Sequence, residues 1–134
     1  MASPFTAITN DICIQEGTFA FNYIASGTIL QGQGVKAGGG MYVIEPSGNG
    51  VPQKGCVGIA AYSETKGNPI AVYGPGNIVR YRVSSTSVAA GNKLALAPWG
   101  LFGPTGASAK HLGVMVALED EGTALTESKG LFVG

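Results

Sequence analysis

Residues 56–67, with the sequence CVGIAAYSETKG, decide the fold of this chain because their pattern returns near the C-terminus. The second copy is HLGVMVALEDEG, residues 111–122, in which glycines, apolar residues and one glutamate recur at a constant separation of 55 positions. Each copy indicates a buried β-strand that runs into a turn ended by glycine. Because repeats of this kind determine the architecture, we predict two related halves.

The repetition continues upstream with a separation of 53 positions, where residues 35–38 match residues 88–91. The change in separation indicates a two-residue insertion or deletion in the intervening loop. We therefore predict an internal repeat of residues 35–76 and 88–134. Both copies would lie in a single β domain that begins at residue 11.

Short apolar runs separated by Gly and Pro turns recur along the chain. Ile12 and Ile14 share one face by two-residue alternation, as do Phe21 and Tyr23. The longest stretch without Gly or Pro, residues 77–90, is rich in β-branched residues typical of strands. We predict an all-β barrel or sandwich of about ten short strands.

The composition limits the classes of partner. The chain of 134 residues has 22 glycines, only 12% charged residues and a formal net charge of zero. A neutral chain has no general attraction for nucleic acid or for an anionic membrane, so we predict neither as a partner. No apolar run is long enough to span a bilayer, and the N-terminus lacks the pattern of a signal peptide. We therefore expect synthesis in a cytosol, with Cys13 and Cys56 as reduced, buried thiols.

Residues 1–10 differ from the rest, because Pro4 and several small polar residues oppose regular structure. Phe5 and Ile8 are apolar anchors that a free arm would leave in water. Two alternatives stay open: a disordered tail, or an extended arm that becomes ordered on a partner.

Candidate catalytic and ligand-binding residues are few. Residues 32–37 fit the dinucleotide-binding pattern GxGxxA, but the glycines that follow prevent the helix that this pattern needs. His111 is the only histidine, so a zinc site lacks sufficient ligands. Residues 119–121 are acidic and could act with Glu64, although a solvated turn explains them better. We predict no catalytic residue, no metal site and no cofactor.

Three larger polar or aromatic residues are candidates for contacts. Arg80 and Arg82 share one face of a predicted strand, and we favour an ion pair with a carboxylate, within the chain or across an interface. Trp99 lies between Pro98 and Gly100, where it either forms a loop tip that anchors an interface or folds back over the barrel mouth.

The repeated order of Val-x-x-Gly, an apolar strand, apolar-Gly-apolar-Ala, and a turn with Glu and Gly resembles a known family. Residues 70–74, Ile-Ala-Val-Tyr-Gly, complete the motif. It is similar to small capsid decoration, or cement, proteins of tailed bacteriophages that have a duplicated Gly- and Ala-rich β motif. The likeness covers residues 35–76 and 88–134, about two thirds of the chain.

This resemblance implies a β-barrel or sandwich on the exterior of an expanded capsid, made in the host cytoplasm and resident in the virion. Such proteins bridge neighbouring subunits of the major capsid protein, usually as homotrimers and sometimes as dimers. They have no catalytic residues to transfer. We predict contacts to the capsid or between subunits at these positions: Phe5, Ile8, Arg80, Arg82 and Trp99.

Two other functions remain as alternatives. The chain could be another phage assembly component, such as a tail-tube or head–tail connector subunit. It could also be an enzyme or a carbohydrate-binding barrel that uses His111, Glu64 or Glu119. In either case we expect Gly58 and Gly113 to be matched strand positions where a side chain would block close backbone packing.

Overall fold

The computed structural model describes residues 4–15, 21–38, 40, 43–46, 56–84, 88–104, 113–120 and 125–133. This part of the chain contains eleven β-strands, and its one helical element is a 3₁₀ turn, Pro98–Gly100, so the all-β prediction is confirmed. The strands are β1 (Cys13–Gln15), β2 (Phe21–Ala25), β3 (Gly34–Ala37), β4 (Val43–Pro46), β5 (Cys56–Ala60), β6 (Pro69–Tyr73), β7 (Ile78–Arg82), β8 (Lys93–Leu96), β9 (Phe102–Pro104), β10 (Met115–Ala117) and β11 (Glu127–Phe132). Within these ranges, no helix has the length and apolar character needed to cross a membrane.

The first half is a closed barrel with the strand order β2-β4-β3-β5-β6. Antiparallel pairing of β2 with β6 and parallel pairing of β2 with β4 complete the ring. Between β2 and β3, Ile29 forms an isolated antiparallel bridge with Glu64. The barrel interior is filled by small and branched side chains, which suit a narrow ring. They are Ala25, Ile29, Val35, Ile44, Ala60, Ile70 and Val72.

The second half is a six-stranded sheet with the order β1-β7-β11-β10-β8-β9. Its core is larger and more aromatic than that of the barrel. Tyr81, Phe102 and Phe132 pack edge to face, with ring centroids 6.0 and 6.5 Å apart. Edge-to-face contact is a favoured arrangement for aromatic rings and stabilises the core beyond the burial of apolar area.

The two halves repeat one topology, because β7 to β11 are connected to one another as β2 to β6 are. An isolated parallel bridge between Val83 and Phe102 joins β7 to β9, just as Ala25 opposite Ile44 joins β2 to β4. The next residue makes the same backbone hydrogen bond in each half. The Ser26 amide donates to the Ile44 carbonyl oxygen, and the Ser84 amide donates to the Phe102 carbonyl oxygen, each at 2.8 Å. The second half is therefore a partly closed version of the first, with β1 added, and equivalent residues are separated by about 58 positions.

This correspondence corrects the alignment that the sequence predicts around Gly58. Val35 lies opposite Gly58 in the first half, and Leu94 lies opposite Met115 in the second. Gly58 is therefore equivalent to Met115 and not to Gly113, two residues earlier. A slip of two residues keeps every side chain on its own face of the strand, so the two alternation patterns still match.

The predicted upstream match is corrected for another reason. Residues 88–91 form the turn before β8, whereas residues 35–38 belong to β3 and its end. The counterpart of Gly91, with φ of 90°, is Gly32, with φ of 87°, in the turn before β3. Gly38, which the sequence aligns with Gly91, does not have positive φ, so the two segments share a short sequence and not a backbone conformation.

The two halves are joined by side chains that cross between them. Ile59 on β5 belongs to the core of the second half, a cluster of buried residues that also contains Leu96 and Phe102. The side-chain amide of Gln33 donates a hydrogen bond of 3.0 Å to the carbonyl oxygen of Trp99. A core shared across the boundary makes the described part of the chain one domain.

Candidate functional site

The two arginines predicted as contacts lie on the outer face of β7, beside β11. Alternation along β7 places Arg80 and Arg82 on the face opposite buried Tyr81. The Arg80 guanidinium lies 3.2 Å from a carboxylate oxygen of Glu127. Glu127 also accepts hydrogen bonds from the side-chain amide of Asn10 at 3.3 and 3.5 Å. The ion pair within the chain, one of the two predicted forms, is therefore present.

Arg82 contacts main-chain oxygens instead of a carboxylate. Its guanidinium donates to the carbonyl oxygens of Thr6 at 2.6 Å, Ala7 at 3.2 Å and Leu125 at 3.0 Å. It also lies over the ring of Phe5, 5.9 Å from the ring centroid, which is within the range of a cation–π contact. Arg80 similarly donates to the carbonyl oxygen of Asp11. The two arginines thus bind residues 4–12, which we call the N-terminal strap.

The structure places both apolar anchors of the predicted arm inside the protein. Phe5 is 4% exposed and Ile8 is 1% exposed. Ile8 joins Ile12 in the core of the second half. The strap therefore belongs to the folded domain, and neither anchor is available to a partner in this conformation. The burial has a simple cause, since the transfer of phenyl and branched aliphatic groups out of water lowers the free energy of the folded protein.

Trp99 lies in the 3₁₀ turn with φ of 69°, a positive value uncommon for a residue with a side chain. Its side chain is half-buried, and the turn packs against β3 of the other half. This arrangement favours the predicted alternative in which the turn folds back on the barrel. A role of Trp99, Arg80 or Arg82 in contacts with other molecules stays a prediction.

The acidic residues considered for acid–base chemistry take part in turns and ion pairs. The Glu64 carboxylate accepts hydrogen bonds from the Thr65 amide and the Asn68 side chain, each at 3.0 Å. Glu119 lies 3.8 Å from the Lys129 ammonium, and Asp120 accepts a 2.7 Å hydrogen bond from a backbone amide. His111 lies outside the described residues. Those residues contain no cluster of three or more His, Cys, Asp or Glu side chains suited to a metal ion.

A shallow groove between β1 and the barrel is a surface feature that sequence reasoning missed. It has a volume of about 560 Å³ and is lined in part by Ile14 and Tyr62, which are 41% and 40% exposed. Alternation predicts Ile14 on the same face as Ile12, but Ile12 is only 2% exposed. A bulge between Cys13 and Gln15 separates them, and no glycine in β1 signals this irregularity in the sequence.

Cys13 and Cys56 form no disulfide bond, and both are half-buried. Burial raises the pKa of the Cys56 thiol to about 12, although a backbone hydrogen bond at Gly58 opposes the shift. The thiolate is the reactive form of cysteine, so the native Cys56 side chain has little reactivity near neutral pH.

We expect native Cys56 to react with iodoacetamide at pH 8.5 at least about tenfold more slowly than in the unfolded chain. Since the folded protein holds this proton more tightly than the unfolded chain, the free energy of unfolding should fall as the pH rises from about 9 towards about 12. Alkylation followed by mass spectrometry measures the rate, and Cys56→Ser isolates the contribution of Cys13. Equal rates for native and unfolded Cys56 would contradict the burial of this thiol.

Comparisons with known proteins give a match among solved structures and none among sequence families. No family model matches the sequence, and no curated protein matches it at a significant level. Among solved structures, the chain is similar to one described as the head fiber gp8.5 N base in bacteriophage phi29. The sequences are 16% identical, the TM-score is 0.56, and the match covers 84% of this chain and 92% of that chain. At this low identity the likeness shows a shared fold, one that a head fiber protein of a bacteriophage also adopts.

Proposed function

We propose that this chain is a non-enzymatic structural protein of a bacteriophage particle. The observation that carries the proposal is the fold likeness to a phage head fiber base, which extends over most of both chains. It agrees with the independent resemblance of the repeated Gly- and Ala-rich motif to phage decoration proteins. The engagement of Glu64 and Glu119 in local turn and ion-pair contacts also favours a structural role over acid–base catalysis.

More specifically, we propose that the protein binds the outer surface of the expanded capsid and bridges neighbouring major capsid subunits, as a homotrimer or a dimer. Binding to the expanded shell alone would stabilise that state by mass action. Many copies on one shell would add modest contributions from each site. A chain with zero formal charge and few charged residues is compatible with association through close-packed contacts and not through long-range attraction.

A second candidate function is the base of a projecting head fiber. The observation that favours it is that the solved structure in question is itself described as a fiber base. In that case the protein would occupy the head surface as an attachment point, and loss of the protein would leave the stability of the shell unchanged. A tail-tube or connector subunit remains the third candidate, and it would form rings or tubes in isolation.

The test uses the phage whose genome encodes this chain and a deletion strain of that phage that lacks the gene for the protein. Purified heads that lack the protein are heated with and without added protein, and DNA release is followed by dye fluorescence. Cementing predicts a higher release temperature after addition and saturation at a fixed copy number. Unexpanded precursor heads serve as the control and should bind little protein.

Electron microscopy of heads to which the purified protein has been added distinguishes a cement protein from a fiber base. Density that covers the head in sets of three supports a cement trimer, and density at the foot of projections supports a fiber base. An unchanged release temperature with saturable binding would reject cementing while keeping the chain on the head. Failure to find the protein in purified particles would reject a virion protein altogether.

A further inference from the structure

The N-terminal strap contacts both halves of the domain. On the side of the first half, the Ile8 amide donates a 2.9 Å hydrogen bond to the carbonyl oxygen of Gln31. The Gln31 side chain donates in return to the carbonyl oxygen of Asn10, also at 2.9 Å. On the side of the second half, Arg80 and Arg82 bind the strap as described above. The strap therefore spans the boundary between the two halves.

The buried side chains of the strap close an apolar slot at this boundary. Ile8 and Ile12 lie over Gly32, where a Cβ atom would approach Ile8 Cγ1 to 2.8 Å and Ile12 Cδ1 to 3.1 Å. Both isoleucines belong to the same core as Ile59, which comes from the first half. Removal of the strap would expose this part of the core to water at a considerable cost in free energy.

Arg82 makes several of the contacts that hold the outer end of the strap. Nε, Nη1 and Nη2 of Arg82 all donate to carbonyl oxygens, and those of Thr6 and Ala7 lie in the strap. The same guanidinium covers Phe5. A planar fork with several fixed donors can hold two main-chain oxygens and an aromatic ring together, whereas a lysine ammonium lacks this geometry.

Terminal segments that are held by a few contacts open at a lower free energy than the core strands. Thr6, Thr9 and Asn10, which lie between the buried side chains of the strap, are exposed to solvent. We propose that the N-terminal strap is a latch that opens and closes as one unit on the folded domain. In this proposal Arg82 stabilises the closed state, and opening uncovers the apolar slot at the boundary between the halves. The proposal does not depend on the proposed function.

The test compares Arg82→Ala with Lys129→Ala, since the side chain of Lys129 on β11 pairs with Glu119 and has no described contact with the strap. Hydrogen exchange is measured for the amide of Ile8 and, as core references, for those of Ala25 and Ala117. Loss of charge-assisted hydrogen bonds should speed exchange at Ile8 by about 10- to 100-fold in Arg82→Ala. The references should change far less, and Lys129→Ala should leave all three amides close to the parent values.

Chymotrypsin gives a second readout, because Phe5 is a cleavage site that closure of the latch conceals. Arg82→Ala should release residues 1–5 faster than the parent, with the rest of the domain intact. If Arg82→Ala does not fold, Arg82→Lys replaces it, with a smaller acceleration in the same direction.

Two results would overturn the proposal. Equal acceleration at Ile8, Ala25 and Ala117 would show that the strap opens only with the whole domain. No acceleration at Ile8, with unchanged cleavage after Phe5, would show that Arg82 does not stabilise closure.

Discussion

Gly58→Val should strongly destabilise the domain. A Cβ atom at Gly58 would collide with the carbonyl oxygen of Tyr73 and would lie 2.6 Å from Val72 Cγ1. The first of these contacts is with backbone of the neighbouring strand β6, which cannot move away without loss of pairing between β5 and β6. We expect a loss of about 3 kcal/mol or more, at the upper end of the range for overpacking.

For a domain of this size, such a loss corresponds to a decrease of about 10 °C in the melting temperature. Circular dichroism of the purified protein measures it, and an insoluble product would indicate an even larger effect. Comparison of Gly58→Ala with Gly67→Ala tests whether close packing around the added Cβ atom causes the loss of stability. Gly67, with φ of 90°, has no neighbouring atom within 4 Å of a built Cβ, so its substitution costs only backbone strain of about 1 kcal/mol.

Gly58→Ala should therefore be less stable than Gly67→Ala, although the side chain added is the same. If the two alanine variants melt together, close packing at Gly58 is not the reason for its glycine. If Gly58→Val melts within about 2 °C of the parent, the collision is absorbed elsewhere, and the argument from strand β6 fails.

The importance of Gly58 follows from the sequence, because a glycine within an apolar strand indicates close approach of another chain segment. The partner in the repeat does not follow in the same way. Gly113 matched Gly58 in sequence, yet the equivalent residue is Met115. Sequence comparison recognises the alternation of a strand, and alternation is unchanged by a shift of two residues. The register depends on long-range pairing, which one sequence does not reveal.

The candidate site shows the same division. Alternation predicts that Arg80 and Arg82 share a face, and the fork of donors on an arginine predicts a carboxylate partner, which Glu127 provides for Arg80. The main-chain oxygens bound by Arg82 could not be predicted, because carbonyl groups are present in every residue and mark no position. The apolar character of Phe5 indicated burial, but only the fold shows that this chain, and not a partner, buries it.

The opposite exposures of Ile12 and Ile14 have a similar origin. Two-residue alternation predicts a common face, and the bulge in β1 removes this relation. A bulge is stabilised by contacts of the whole sheet, so its position is decided by tertiary structure. Sequence patterns thus predicted the elements and their faces well, and failed where a long-range contact overrides the local period.

The corrected alignment leads to the second prediction, at the positions equivalent to Gly58 and its neighbour Val72. In the first half a glycine on β5 lies against a valine on β6. In the second half the order of sizes is reversed, with Met115 on β10 and Gly130 on β11. A Cβ atom at Gly130 would collide with the Met115 sulfur and would lie 2.8 Å from Met115 Cγ. The pair is thus complementary in volume, so each substitution should depend on the other.

We expect Met115→Ala to cost about 2–5 kcal/mol, because it leaves a cavity in the core of the second half. Gly130→Val should cost about 1–3 kcal/mol through overpacking. The double variant should be more stable than the sum of these losses by about 1–2 kcal/mol, since the valine fills part of the space that the methionine leaves. Urea unfolding of the four proteins gives this coupling energy. As a control, Met115→Ala combined with Gly67→Ala should be additive, because Gly67 has no neighbouring atom near its Cβ position. If the losses for Met115→Ala and Gly130→Val are additive, the side chains at these two positions are not complementary in volume.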